Sequence, residues 1–305
     1  MSKIAFVFPG QGAQYAGMGK DFYENSETAK AVFHQASEVT GLDIPALCFE
    51  ENENLNQTKY TQIAMVTTEV AILKVLEENG LKPEVTAGLS LGEYSAIVAS
   101  GAMKAEDAFQ TVLHRGAFMQ EAVPEGGAMA AVLGLEYPVI EEVLAGIDGV
   151  VSIANYNCPG QIVITGWADA IEKATQPLKD AGARRVLPLK VSGPFHSQLL
   201  TGAGEKLGEV LKKVEISEFS IPYVANLTAD YVKEAAPVKE LLMKQVSSPV
   251  RFQQSVERMV ADGVDTFIEI GPGKTIAGFV RKISPESKVI NVDKWEDLAK
   301  CLEEI

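Results

Sequence analysis

The stretch VTAGLSLGEYSAIVA, residues 85–99, constrains this chain more than any other. A short apolar run passes straight into GLSLG (88–92), and an apolar helical pattern follows with no loop between them. A strand that turns at once into a helix leaves no room for side chains flanking the turn, which accounts for Gly88 and Gly92. Such a turn projects the Ser90 hydroxyl from the edge of a sheet at a helix N-terminus. Free backbone N–H groups and the helix dipole favour developing negative charge there. The G-x-S-x-G string arises by chance in many proteins of this length; its strand–turn–helix setting marks Ser90 as a candidate nucleophile.

The surroundings repeat this alternation. Short apolar runs at 4–8, 85–89, 223–225, 266–270 and 288–292 read as strands. Amphipathic stretches at 29–40, 62–78, 91–99, 105–122, 198–213, 238–245 and 252–261 read as helices, with a further helix closing the chain. Strand–helix alternation predicts a parallel sheet covered on both faces. Between 127 and 189 the rhythm changes. Strands at 128–133, 150–155, 161–165 and 185–189, with helices at 138–145 and 168–180, give the order βαββαβ, a ferredoxin-like arrangement. The expected organisation is a discontinuous large α/β domain, residues 1–125 and 194–305, interrupted by a small domain at 126–193.

Composition excludes other classes. In 305 residues, 27 Lys and Arg stand against 41 Asp and Glu, a net charge of −14, which argues against a nucleic-acid binder. No apolar run approaches the length of a membrane span, and the run at 4–8 is too short for a secretory signal. Cys48, Cys158 and Cys301 form no CxxC pair and suit a reducing, cytoplasmic setting.

A serine nucleophile needs a base, and the chain has three histidines. His34 lies on a polar helix face. His114, beside Arg115 in mid-helix, is either a packing residue or a site wall. His196 sits in SGPFHS, a Gly/Pro loop at the junction of the two expected domains, and is the choice. No Asp or Glu is evidently placed to orient it, so a backbone carbonyl is the remaining option. Two lookalikes fail. FPGQGAQYAG has Tyr15 where a dinucleotide loop needs glycine, and GPGKT lacks the first glycine of a phosphate loop. Cys and His are too few and scattered for a metal site. The first loop still lets backbone approach a ligand closely, so the amides of Gln11 and Leu91 are candidate oxyanion donors.

Taken together, FVFPGQGAQYAGMG, GLSLGEYSA, Arg115 twenty-five residues after Ser90, GPFHS, SSPVRF and EIGPGK resemble the bacterial acyltransferase family that moves malonyl groups from CoA to acyl carrier protein. The similarity runs over essentially the whole chain. It implies an α/β-hydrolase-like large domain with a ferredoxin-like insert. It also implies Ser90 as the acylated nucleophile, His196 as base, Arg115 as the grip on the malonyl carboxylate, and Gln11 and Leu91 at the oxyanion. Gln245 falls where the family's histidine-orienting carbonyl stands, and Phe195 where malonyl users often carry a bulky aromatic. Leu89 departs from the pattern, since many relatives have histidine there. The resemblance further implies malonyl-CoA and acyl carrier protein as partners, a monomer, no metal or redox cofactor, and a role in fatty acid elongation. A serine hydrolase or thioesterase shares the elbow and base, and a polyketide pathway shares the whole chemistry.

Overall fold

The computed structural model describes residues 2–191 and 193–305; Met1 and Ser192, the first residue of the SGPFHS loop, lie outside the described residues. The chain opens with strand β1 (Ile4–Phe8) and helices α1 (Lys20–Asn25), α2 (Glu27–Thr40), α3 (Ile44–Phe49) and α4 (Thr58–Glu78). Then come β2 (Val85–Gly88), α5 (Gly92–Ala99) and α6 (Ala105–Ala122). Next are β3 (Gly127–Leu133), α7 (Tyr137–Ala145), β4 (Val151–Cys158), β5 (Gln161–Trp167), α8 (Ala168–Asp180) and β6 (Arg185–Pro188). The last part holds α9 (Thr201–Leu211), β7 (Tyr223–Val224), β8 (Tyr231–Val232), α10 (Val238–Gln245), α11 (Phe252–Ala261), β9 (Thr266–Ile270), α12 (Thr275–Ile283), β10 (Lys288–Val292) and α13 (Trp295–Glu304).

Six strands form one sheet in the order β10-β9-β1-β2-β7-β8, parallel except for the last pair. Its centre is apolar on both faces, as a covered parallel sheet must be. Along β1, Ile4, Phe6 and Phe8 join a core shared with α4, while Ala5 and Val7 point into a second core with Phe252, Val256, Ile276 and Val280 of α11 and α12. Helix α4 is buried on nearly every side, with Ile63, Met65, Val66, Val70 and Leu73 all inaccessible. Apolar residues therefore fall on nearly every face of it, with Gln62, Thr67, Thr68 and Glu69 buried among them.

The second sheet has the order β4-β5-β3-β6, every pair antiparallel. A parallel bridge between Asn155 and Val250 joins its β4 edge to the segment after α10. There Tyr156 N donates to Val250 O at 2.9 Å and Val250 N donates to Ala154 O at 2.8 Å.

Several expectations need correction. Strand β4 runs on to Cys158, because the register shifts at 153/155 and 156/158 let it bend and keep pairing with β5. The helix expected over 198–213 starts with a 3-10 turn at Gln198–Leu200 and ends at Leu211. The short helices α1 and α3, and the two-residue edge strand β8, were absent from the expected pattern; six residues hold fewer than two turns and show no readable period.

Candidate active site

Parallel strands β1 and β2 place their carboxyl ends side by side, with Phe8 registered on Gly88. The loop after β1 and the turn after β2 therefore emerge together at the sheet edge, the usual ligand position in an open α/β sheet. The packing is tight. A Cβ on Gly88 would lie 2.0 Å from the Gly92 carbonyl group, one on Gly92 would lie 2.3 Å from Phe8 O, and one on Gly10 would lie 2.6 Å from Leu89 O. The two elbow glycines are thus set by contact between backbones, as their spacing predicts.

Ser90 adopts φ 52°, in the left-handed region that non-glycine residues seldom visit. Holding it there costs about 1–3 kcal/mol unless the surroundings compensate. Two side chains do so: Ser90 N donates to Asn226 Oδ1 at 2.6 Å, and Gln245 Nε2 donates to Ser90 O at 2.8 Å. His196 is the second such residue, at φ 60°.

The side chains converge. Ser90 Oγ and His196 Nε2 are 2.7 Å apart, and His196 Nδ1 lies 2.8 Å from Gln245 O. A carbonyl can only accept, so Nδ1 carries the proton and Nε2 presents its lone pair to the hydroxyl. Burial, and then the nearby Arg115 cation, push the imidazole pKa down to about 4. It is therefore neutral and able to accept a proton at pH 7.

Arg115, from α6, is only 1 % exposed. Its Nη1 donates to Gln62 Oε1 at 2.8 Å, and Nη2 donates to Gln245 Oε1 at 2.9 Å and to Ser90 Oγ at 3.2 Å. Its Nε has no partner among the described residues, and the guanidinium carbon sits 5.6 Å from the Tyr94 ring centre. Burial lowers its pKa, yet a guanidinium starts so high that it stays charged. A buried cation 3.2 Å from the Ser90 hydroxyl is a place for an anionic group.

Ser90, His196 and Arg115 line a cleft of about 270 Å³, together with Gly10, Gln11, Leu89, Leu91 and Phe195. The small sheet contributes Met129, Ala131, Asn155, Asn157, Gln161 and Val163. Gln11 anchors its side chain on Thr58, donating from Nε2 to Oγ1 at 3.0 Å. Phe195 is largely buried, and Leu89 makes part of the wall apolar. Gln245 reaches the site with both its main chain and its side chain. His34 and His114 lie elsewhere, the first beside Tyr23 and the second stacked on Phe118.

Residues not singled out from the sequence complete the arrangement. Gln62 steadies the guanidinium and Asn226 the elbow; neither stands in a pattern that marks it. Glu93 did carry a signal, as the one charge in the apolar helix GEYSAIVA. It is buried beneath Ser90, where desolvation raises its pKa to about 7 against the lowering effect of its hydrogen bond from Gln245.

At the α12 N-terminus, after the GPGKT loop, the free amides are met from within the chain: Glu269 accepts from Ile276 N at 3.0 Å and Ala277 N at 2.8 Å. Among the described residues no group of His, Cys, Asp and Glu is arranged to hold a metal, and no helix is long and apolar enough to cross a membrane.

Comparison with known proteins places this geometry among relatives. A family model described as acyl transferase domain matches residues 5–290. The malonyl CoA-acyl carrier protein transacylase of Bacillus subtilis (strain 168) is 47% identical over 308 residues, covering 99% of this chain and 97% of that one. The crystal structure of the enzyme of that name from Clostridium perfringens superposes with a TM-score of 0.96 at 46% identity, covering 99% of this chain and 97% of the other. A malonyl-transacylase solved in complex with a type II polyketide acyl-carrier protein also gives 0.96, at 38% identity over 100% of both chains.

Proposed function

The chain belongs to the acyl transferase family, and from that premise we propose that it transfers malonyl groups from malonyl-CoA to the phosphopantetheine thiol of acyl carrier protein. The observation that carries this reading is Arg115. A hydrolase of simple esters has no use for a buried guanidinium 3.2 Å from its nucleophile, whereas a substrate with a free carboxylate needs one.

Transfer proceeds in two halves. The malonyl carboxylate pairs with Arg115, drawing its Nη2 away from Ser90 Oγ. Ser90 attacks the thioester carbonyl as His196 Nε2 takes the hydroxyl proton. The oxyanion rests on the Gln11 and Leu91 amides, and the Gln245 carbonyl supports the imidazolium through Nδ1. Collapse expels CoA thiolate, which takes the proton from His196. The carrier's thiol then gives its proton to His196 and attacks the malonyl-serine ester, and collapse returns a proton to Ser90. A thioester is already activated for acyl transfer, so the scheme uses no metal or redox cofactor. Phe195 borders the acyl group's α-carbon in this reading.

The architecture belongs to the same proposal. Residues 1–125 and 194–305 form an α/β-hydrolase-like domain, supported by the parallel order β10-β9-β1-β2-β7 and the serine elbow after β2. Residues 126–193 form the ferredoxin-like small domain, supported by the order β6-β3-β5-β4. The enzyme acts as a monomer in the cytoplasm, where three buried, unpaired thiols are at home. It serves fatty acid elongation, with polyketide synthesis as the second reading, favoured by the relative solved with a polyketide carrier.

Intact mass after brief exposure to malonyl-CoA tests the reading. One malonyl adduct is expected on the parent protein and none on Ser90→Ala. An undiminished adduct on that variant would place the nucleophile elsewhere.

A further inference from the structure

Gln245 carries two duties, one through its main chain and one through its side chain, and the second needs support. Its main-chain carbonyl holds His196, and its side-chain oxygen accepts from Arg115 Nη2. The second duty depends on which end of the amide faces the guanidinium. An arginine offers donors only, so the amide must turn its oxygen to Arg115 and its NH₂ the other way. An NH₂ aimed inward needs two acceptors. Three oxygens face it: Glu93 Oε2 at 2.7 Å, Ser90 O at 2.8 Å and, more distant, Asn226 Oδ1 at 3.4 Å. Ser90 O lies on the elbow itself and Asn226 Oδ1 is held at 2.6 Å by Ser90 N, so the Glu93 carboxyl is the nearest side-chain acceptor supporting the orientation that Arg115 demands. The same Oε2 accepts from Asn226 N at 3.3 Å, and Asn226 Oδ1 in turn holds Ser90 N. Glu93 is 1 % exposed and touches neither the cleft nor His196.

We propose that Glu93 is a positioning residue for acyl-group selection: through the Gln245 amide it aims the Arg115 guanidinium at the acyl carboxylate, and through Asn226 it steadies the elbow. The inference rests on the reading of Arg115 as the carboxylate grip. What matters is an acceptor oxygen at that point. Without it the amide can rotate, bringing NH₂ against a guanidinium that also only donates, and Arg115 loses its aim. His196 keeps its partner throughout, because that partner is main chain.

Two substitutions separate position from charge. Glu93→Gln keeps an acceptor oxygen in place and removes the charge; Glu93→Asp keeps the charge and withdraws the oxygen by one methylene. The readout is the ratio of malonyl to acetyl acylation rates in single turnovers, with Arg115→Ala run beside them. Glu93→Gln should hold the parent ratio to within a small factor. Glu93→Asp should lower it about tenfold, or about 1.4 kcal/mol, the scale of one hydrogen bond to a charged group. Equal losses with both acyl groups, the reverse order of the two variants, or failure of both to fold would assign Glu93 to support of the core and overturn the proposal. If Arg115→Ala itself leaves the ratio unmoved, the reading of Arg115 fails first, independently of Glu93.

Discussion

In the proposed reaction Arg115 is the side chain that sets substrate choice. Truncating a desolvated, hydrogen-bonded charge partner costs roughly 2–5 kcal/mol, so Arg115→Ala should cut malonyl transfer by about 30- to 5,000-fold. Acetyl transfer should hold or improve, since an acetyl group leaves the guanidinium without an anion. Arg115→Lys should rescue only in part, because an ammonium cannot make the planar fork. Steady-state rates with both acyl-CoAs on folded variants decide this; equal losses would make Arg115 a mere brace. His196 sets a second expectation. Its pKa is depressed to about 4, so the base form persists as pH falls, and kcat/KM for malonyl-CoA should stay level from pH 8 to about pH 5. In Arg115→Ala one cause of the depression is gone, and the acid limb should move upward. A limb near the ordinary histidine value in the parent enzyme would contradict the buried, cation-neighboured imidazole. Phe195 sets a third. Pocket discrimination of one methyl is worth about 1–3 kcal/mol, so Phe195→Ser should raise methylmalonyl transfer relative to malonyl in a competition assay. An unchanged ratio leaves Phe195 as packing.

At the scale of elements, the elbow works because two backbones nearly touch. Gly92→Ala would drive a methyl to 2.3 Å from Phe8 O, backbone that cannot yield without parting β1 from β2. The expected loss is about 1–3 kcal/mol or more of stability, read as a lower denaturation midpoint together with slower acylation. Gly278, inside α12, is the control. A Cβ there meets nothing within 4 Å, so Gly278→Ala should stabilise by about 0.5–1 kcal/mol through helix propensity. If both alanines behaved alike, the steric account of the elbow would be wrong. The elbow was legible from the spacing of Gly88, Ser90 and Gly92, since steric exclusion is local. The continuation of strand β4 past Asn155 leaves no mark in the sequence, because it depends on bulges against β5, and pairing between strands leaves no local period.

For the whole molecule, buried carboxylates dominate the pH response. Glu69, Glu93 and Glu269 are all raised by burial, Glu93 and Glu269 to about 7 and Glu69 well above the usual carboxylate value. A carboxyl with a folded pKa above its unfolded one contributes stability that is full below about pH 4.5 and lost as pH rises through the folded pKa. His196 opposes over part of that window, because its depressed pKa favours folding as pH rises from about 4 to 6.5. Three carboxyls outweigh one imidazole, and above pH 6.5 the imidazole no longer acts. Tm should therefore fall between pH 5 and pH 8 by several degrees, and Glu69→Gln should flatten the slope. A Tm that rises with pH over this range would show these carboxylates to be ionised and satisfied in the folded state.

Ser90, His196 and the two-sheet plan were open to reading from the chain because each depends on neighbours in sequence: a turn with no room, a loop at a junction, a period of two or of three and a half. Arg115 and Gln245 drew notice only through resemblance, for nothing in a helix pattern says which polar residue faces inward. Gln62 and Asn226 were invisible, and Glu93 gave only the hint of a lone charge in an apolar helix. Their roles arise where α4, α5, α6, α10 and the segment after β7 meet, and Asn226 is 136 residues from the Ser90 amide it holds. Hydrogen bonds of this kind are set by packing of distant elements, and an amide or carboxylate satisfied by such packing looks, along the chain, like any solvated polar residue.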